Sequence, residues 1–404
     1  MGDNWMVKRE MYLKRIRPFY DLEEIKVIMG VRRCGKSTLL RQIKEEIIDR
    51  GADPSRIIEI SFENYKYRKL KNPDLFYEYV ESKILDNEKY YLLFDEIQNV
   101  NDFELVVNSF RATYNVSIFL TGSNSKLLSG ELATHLGGRT VSFTIMPFTF
   151  KEYCEYLGVN KGSKELFINY IHWGGFPMVM DAKDEDTKYL ILSNLYDSIV
   201  LKDIIMRNKI SNVHVLEKLI EYVIANSSCV ISGKSVVASF SEDGVDVSVP
   251  TIYDYLRYME ESCVVRKVSR YDIRGKKVLS FEEKYYVCDL GLLSLKKNRI
   301  KDEYNLVIET LIYNELISRG YHVYIGKTYK GEVDFIATKN NERIYIQATY
   351  LLSDESVVDR EFNAFKDIND NYPKYVISYD DWTSDKDGIR HLNVIDFLMG
   401  DDLV

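Results

Sequence analysis

At 404 residues, with 46% hydrophobic residues and a net charge of −8, the chain is longer than one hydrophobic core ordinarily holds, so two or three globular domains are expected. No run approaches the ~18 apolar residues of a membrane span, and residues 1–10 are polar and mixed in charge rather than leader-like; the sequence reads as a cytoplasmic protein with no membrane partner. The acidic balance argues against a chain given over to nucleic acid while leaving room for a local basic face. Five scattered cysteines (Cys34, Cys154, Cys229, Cys263, Cys288), without a C-x-x-C pair and beside few histidines, argue against a zinc cluster.

From residue 20 onward short apolar runs alternate with helical patterns. Strands are expected at Ile25 to Met29, Ile57 to Ser61, Tyr91 to Phe94, Ser117 to Leu120 and Val141 to Ile145, with helices at Lys36 to Asp49, Asp74 to Asn87 and Asp102 to Tyr114. Strands this short and continuously apolar imply a buried parallel sheet covered on both faces. Helix-rich sequence follows, including a long pattern from Thr187 to Met206. Ser232 to Phe240 and Val249 to Ser262 then read as two helices, and Cys263 to Tyr271 with Lys276 to Phe281 as a hairpin, the layout of a winged-helix domain. A last α/β unit begins with a helix from Tyr304 to Arg319 and continues with strands at Tyr321 to Ile325, Glu332 to Thr338, Arg343 to Tyr350 and Tyr375 to Ser378. The 31 tyrosines are spread along these elements, which points to amphipathic packing rather than stacking on bases.

The octet Gly30-Val31-Arg32-Arg33-Cys34-Gly35-Lys36-Ser37 matches the pattern G-x-x-x-x-G-K-[ST] between a strand and a helix. Glycines are needed where the backbone must approach a polyphosphate closely or take a positive φ, so that its N–H groups point inward as anion donors. These residues, with Thr38, form the expected ATP cradle. Lys36 is expected to reach the β- and γ-phosphates and Ser37 to offer its hydroxyl to Mg2+, over the positive end of the helix dipole. Phosphoryl transfer also needs a carboxylate at the end of a neighbouring buried strand and a base to orient water. Asp95 and Glu96, behind Tyr91-Leu92-Leu93-Phe94, supply them: Asp95 for the metal, Glu96 for the water. A third strand runs into Thr121-Gly122-Ser123-Asn124, where Ser123 or Asn124 is expected to sense the γ-phosphate, or simply to form a loop.

The motifs GVRRCGKST, LLFDEIQ and FLTGSNSKLL, with Leu136-Gly137-Gly138-Arg139 leading to Pro147-Phe148-Thr149-Phe150-Lys151-Glu152, resemble the AAA-type P-loop ATPases, in particular a large bacterial and archaeal branch. The likeness continues through Gly174-Gly175-Phe176-Pro177, the Asp203 to Arg207 segment and the end of the chain. It implies an arginine that neutralises charge on the γ-phosphate; Arg139 is the first candidate and Arg207 the second, either of which could instead be a structural ion-pair partner. Arg32 and Arg33 read as exposed loop residues or contacts to a neighbouring subunit or nucleic acid.

The fold class is therefore α/β: a P-loop NTPase core with a parallel sheet at 1–150, a helical lid or linker at 151–210, a winged-helix-like domain at 211–299 and a restriction-endonuclease-like α/β domain at 300–404. From Ser211 to Arg270 there are six Lys/Arg against eight Asp/Glu, so duplex DNA binding and protein packing or homo-oligomer formation stand level for the winged helix; Arg270, Arg274, Lys276 and Lys277 are the best DNA contacts. The last domain's order of Glu309, Asp334 and Gln347 resembles the metal-ligand set of restriction-endonuclease-like nucleases, with Thr349 where that pattern has its lysine. Lys327 and Lys339 are candidate substitutes. A threonine cannot supply that charge, so the fold is expected to be retained and cleavage lost or altered. The expected function is an Mg2+-dependent ATPase that moves its appended domains; the alternatives are an ATP-controlled DNA nuclease and an NTP-dependent signalling or defence switch with protein partners.

Overall fold

In the computed structural model the described residues are 7–123, 138–210, 212–296, 304–329 and 331–400, the side chains of residues 280 and 281 excepted. They form two compact units, one of Lys8–Ile145 together with Glu261–Cys263, the other of Met146–Glu260 and Val264–Val404 with the amino-terminal residues.

The first unit begins with α1 (Glu10–Ile16), then β1 (Ile25–Met29), α2 (Lys36–Asp49), β2 (Ile57–Ser61), α3 (Pro73–Glu81), β3 (Tyr90–Asp95), α4 (Phe103–Thr113), β4 (Val116–Gly122) and β5 (Thr140–Thr144). The five strands, all parallel, lie in the order β2-β3-β4-β1-β5. Every residue of β1 and β4 is buried, as expected for strands covered on both faces. The core on one face gathers Phe62, Phe76, Phe94 and Phe110, with rings edge to face at 4.9–5.6 Å for Phe76 against Phe62, Phe94 and Phe110. Because β1 sits between β4 and β5, the carboxyl ends of β1, β3 and β4 open side by side, the place where such sheets form ligand crevices.

The amino-terminal segment clamps α2. Glu46 accepts from Arg17 Nη2 at 2.7 Å and Nε at 2.9 Å and from Tyr20 Oη at 2.9 Å, while Lys8 stands 3.0 Å away. Glu46 is held down at about 2, chiefly by the Arg17 hydrogen bonds against the opposing effect of burial.

The second unit opens with α5 (Phe150–Tyr156), α6 (Lys164–Trp173), α7 (Pro177–Met180) and α8 (Glu185–Ser198), which runs on into a π-helix at Ile199–Met206; the sequence pattern predicts one continuous helix there. Then come α9 (Val213–Ala225), α10 (Gly233–Glu242), α11 (Val249–Glu261), β6 (Val265–Asp272), β7 (Lys277–Val287), α12 (Leu290–Lys296), α13 (Tyr304–Ser318), β8 (His322–Lys327), β9 (Glu332–Lys339), β10 (Glu342–Ala348), α14 (Glu355–Asn363), β11 (Lys374–Ser378), β12 (Arg390–Asn393) and α15 (Val394–Met399). The helix, helix, hairpin order expected after residue 231 is present. The hairpin is not a free wing, however: β6 pairs with β8 in parallel, making one seven-stranded sheet in the order β12-β11-β10-β9-β8-β6-β7. The expected boundary at 299/300 therefore does not separate two sheets, because the outer edge of β6 finds its hydrogen-bond partner on the far side of it.

The Gly174-Gly175 pair is explained by close packing: a Cβ on Gly175 would lie 2.1 Å from the Phe148 carbonyl, and Gly174 faces Asp289, which precedes α12. Asp289 accepts from Gly175 N at 2.7 Å and Gly291 N at 2.8 Å, and a Cβ on Gly174, at φ +73°, would lie 2.0 Å from its carboxylate. Among the described residues no helix is long and apolar enough to cross a membrane.

Candidate nucleotide-binding site

The phosphate loop leaves β1 at Met29 and enters α2 at Lys36. Gly30 is required because a Cβ would lie 2.2 Å from the Ile145 carbonyl, and Gly35 holds the left-handed conformation (φ +103°) from which α2 starts. Arg33 also has a positive φ, 66°, and is exposed. Arg32 pairs with Glu63 at 3.3 Å. Cys34 is fully buried; its carbonyl accepts from Arg9 Nη1 at 3.0 Å, and Arg9 N donates to Gln42 on α2 at 3.0 Å. Arg9 thus fastens the loop from behind with a buried guanidinium. The sequence reading missed it, since nothing in a charged amino terminus marks one arginine for burial.

Lys36 is buried, folded back to donate to the Gly30 and Val31 carbonyls at 3.1 Å each, with Glu96 at 3.7 Å. Burial alone would lower its ammonium, but Cys34, Glu96 and Asp95 nearby outweigh it and hold the group above the usual lysine range. Ser37 is exposed at the mouth of the loop, its hydroxyl 3.0 Å from both Asp95 oxygens.

Asp95 closes β3 among hydroxyls, accepting from Ser61 on β2 at 3.2 Å and Thr121 on β4 at 2.5 Å. Burial pushes its carboxyl up, opposed by the Thr121 hydrogen bond. The same Thr121 oxygen accepts from Glu96 N at 3.0 Å, so one hydroxyl locks both acids. Glu96 has φ 53°, a conformation that costs on the order of 1 kcal/mol for a non-glycine residue. Ser123 Oγ donates to it at 2.8 Å and Gln98 bonds its other oxygen. Burial would raise Glu96; Lys36 first, then Ser123 and Gln98, hold it below the usual carboxylate range, so it is an anion. Every donor around Asp95 and Ser37 is oxygen, the set a hard Mg2+ ion prefers.

Of the expected residues, the structure thus brings Lys36, Ser37, Asp95, Glu96 and Ser123 together. Asn124 lies outside the described residues. Arg139 does not join them: its carbonyl accepts from Ile25 N at 2.9 Å, which puts it at the amino end of the sheet, a strand's length from the phosphate loop at the carboxyl end. It is exposed. Arg207 lies in the second unit, 3.8 Å from the buried Asp203.

In that unit a cleft of about 740 Å3 is lined by Asp334, Gln347, Glu332, Glu361 and Thr349 among others. Asp334 Oδ2 accepts from Ala348 N at 2.8 Å, and Gln347 Oε1 from Asp334 N at 3.3 Å. A lysine that the sequence did not single out meets the acids here. Lys284 of β7 reaches Glu309 at 2.9 Å and Glu332 at 2.7 Å, and Tyr286 donates to the same Glu309 oxygen at 2.7 Å. Lys339 lies at the other end of β9 from Glu332, and the Thr349 hydroxyl turns toward Asn305 at 3.4 Å. Burial, and then the Glu309 charge, push Asp334 well up, and burial raises Glu309 against the pull of Lys284. Among the described residues no three Asp, Glu, His or Cys side chains converge as metal ligands. Of the expected DNA contacts, Arg270 bonds Glu282 and, at 2.7 Å, Glu332, while Arg274, Lys276 and Lys277 are exposed; Arg257 on α11 pairs with Asp254 at 2.9 Å.

Strand order, loop and acids together define a P-loop ATPase fold of AAA type. Residues 22–154 match the AAA domain family and residues 164–302 a domain of unknown function (DUF8612). The chain is 36% identical over 400 residues to an uncharacterized protein of Haemophilus influenzae, covering 98% of this chain and 99% of that one, and it belongs to the same protein family. The uncharacterized protein MJ1544 of Methanocaldococcus jannaschii is 29% identical over 400 residues, 93% of this chain and 86% of its own. Among solved structures, the Walker-type ATPase PABY2304 of Pyrococcus abyssi superposes with a TM-score of 0.53 at 14% identity, over 72% of this chain and 96% of that one, a likeness of fold.

Proposed function

We propose that the protein is an Mg2+-dependent ATPase. The observation that carries this reading is the Ser37, Asp95, Thr121, Glu96, Ser123 network at the carboxyl ends of three adjacent strands, beside a loop whose lysine is parked on its own carbonyls. The residues of Gly30 to Thr38 hold the phosphates through their N–H groups, and Lys36 exchanges its two carbonyl bonds for phosphate oxygens. Ser37 and Asp95 would hold the metal, which would neutralise charge on the phosphates. Glu96, an anion, accepts a hydrogen bond from the attacking water and orients it. Ser123 positions Glu96, and the neighbouring Asn124 is its companion at the γ-phosphate. Arg139, exposed at the opposite end of the sheet, serves such a site only in another copy of the chain. Turnover drives the second unit, with its helix-helix-hairpin and nuclease-like parts, against a partner. Lys36→Ala is expected to abolish ATP binding in equilibrium dialysis, and Glu96→Gln to bind ATP while turnover falls by roughly 10²–10⁴-fold. Equal turnover by Glu96→Gln and the parent would falsify the role given to Glu96.

The second-unit cleft supports a non-cleaving reading. Lys284 supplies from within the positive charge that a cation would otherwise bring to Glu309 and Glu332, and among the described residues no three such side chains group as metal ligands. Supercoiled plasmid is expected to stay intact with the protein and either Mg2+ or Mn2+; nicking that Asp334→Ala abolishes would restore the nuclease alternative.

A further inference from the structure

The loop after β2 carries a feature that ATP hydrolysis does not use. Residues Tyr65–Lys71, YKYRKLK, form a 3-10 helix capped by Asn64, whose side chain accepts from Lys66 N. Tyr67 and Leu70, three apart and so on one side of such a helix, pack against the core of the first unit. That anchoring turns Lys66, Arg68, Lys69 and Lys71 outward, and all four are exposed. The segment contains no acid, and none of its four cations pairs with a described carboxylate, whereas Lys8, Lys44 and Arg56 of the same unit do. In a chain of net charge −8 this is a concentrated basic face. Among the cations stands Tyr65, 74% exposed, with the Arg68 guanidinium 4.1 Å from its ring centre. Solvation accounts for exposed lysines; it does not account for a phenol ring displayed among them.

We propose that Tyr65, Lys66, Arg68, Lys69 and Lys71 bind single-stranded nucleic acid, the cations on successive phosphates and the Tyr65 ring stacked on a base. A duplex keeps its bases stacked inside and gives Tyr65 no face to meet, and an anionic membrane offers phosphates without a planar partner, so the ring favours the single strand. The segment lies four residues past Ser61, which bonds Asp95, and two past Glu63, which pairs with Arg32 of the phosphate loop. The proposal reaches beyond the ATPase reading and does not depend on it.

The test is fluorescence anisotropy of the full chain, without nucleotide, on a labelled oligothymidylate of roughly 20 nucleotides, longer than one binding fold occupies. The same-length duplex and vesicles of phosphatidylserine and phosphatidylcholine serve as competitors. A Lys69→Glu, Lys71→Glu double variant should bind at least about tenfold more weakly, with a log-log salt slope shallower by about 1.4, two phosphates at about 0.7 each. Tyr65→Ala should also lose roughly tenfold, with the slope unchanged. Parent-like binding by Tyr65→Ala, absence of binding by the parent, or stronger competition by duplex or vesicles than by unlabelled single strand overturns the proposal. Lys36→Ala should retain parental oligonucleotide affinity and the surface variants parental basal ATP turnover, so failure of one reading is seen apart from failure of the other.

Discussion

Ser123 donates to one oxygen of Glu96 and Gln98 to the other, and Lys36 lies 3.7 Å away. A hydrogen bond to the charged form of an acid favours that form. Removing it therefore raises the pH at which Glu96 becomes protonated. Ser123→Ala is expected to move the acid limb of the turnover profile to higher pH, and Ser123→Thr to return it; an unmoved limb would leave Ser123 with packing alone. At this scale the sequence was generous where spacing is dictated by chemistry: a loop around phosphates and an acid pair behind an apolar strand announce themselves. Thr121 as the shared partner of both acids, Ser61 on β2 and the buried Arg9 were not legible, because each acts across the sheet on a residue at least 25 positions away. Tyr65 was misjudged by the general reading of tyrosines as packing residues, since exposure depends on which side of its turn the core lies.

Two elements depend on single junctions. The α2 clamp rests on Glu46, whose folded-state pKa near 2 lies below the ordinary glutamate value. Its stabilisation is present above the unfolded pKa of about 4.5 and is lost as pH falls through about 2. Glu46→Gln should cost about 1–3 kcal/mol at pH 7, in urea melts, and the gap from the parent should narrow steadily below pH 4.5. At the α6 to α7 corner, Gly174 faces the Asp289 carboxylate at a positive φ, so Gly174→Ala should lower stability by at least ~1–3 kcal/mol, read from the same melts. Burial lifts Asp289 to about 7 against its backbone hydrogen bonds. A raised acid binds its proton more tightly in the folded state, so this group favours folding as pH drops from 7 toward 4. The parent should therefore melt higher at pH 6 than at pH 8 by a margin that Asp289→Asn lacks.

For the molecule as a whole, the decisive connection is β6 to β8. A chain ended after residue 299 would leave β6 with an open edge and its sheet without five strands, β8 to β12; unpaired edges aggregate. Such a chain is expected to be insoluble or protease-sensitive in its second part, whereas an independent winged-helix domain would give a resistant fragment. The sequence by itself determined the ATPase fold: the alternation of apolar strands and amphipathic helices, the glycines of the loop and the acids at the end of β3 are local patterns, set by backbone geometry and by what polyphosphate and metal require. Only the tertiary structure decided what spans long separations. It brought Lys284 to Glu309 and Glu332 in the second unit, it placed Arg139 at the far end of the sheet from the phosphate loop, and it joined the hairpin to the carboxyl-terminal strands. A hydrogen bond or an ion pair is satisfied by whichever group the fold brings within reach, and a one-dimensional spacing does not contain that distance.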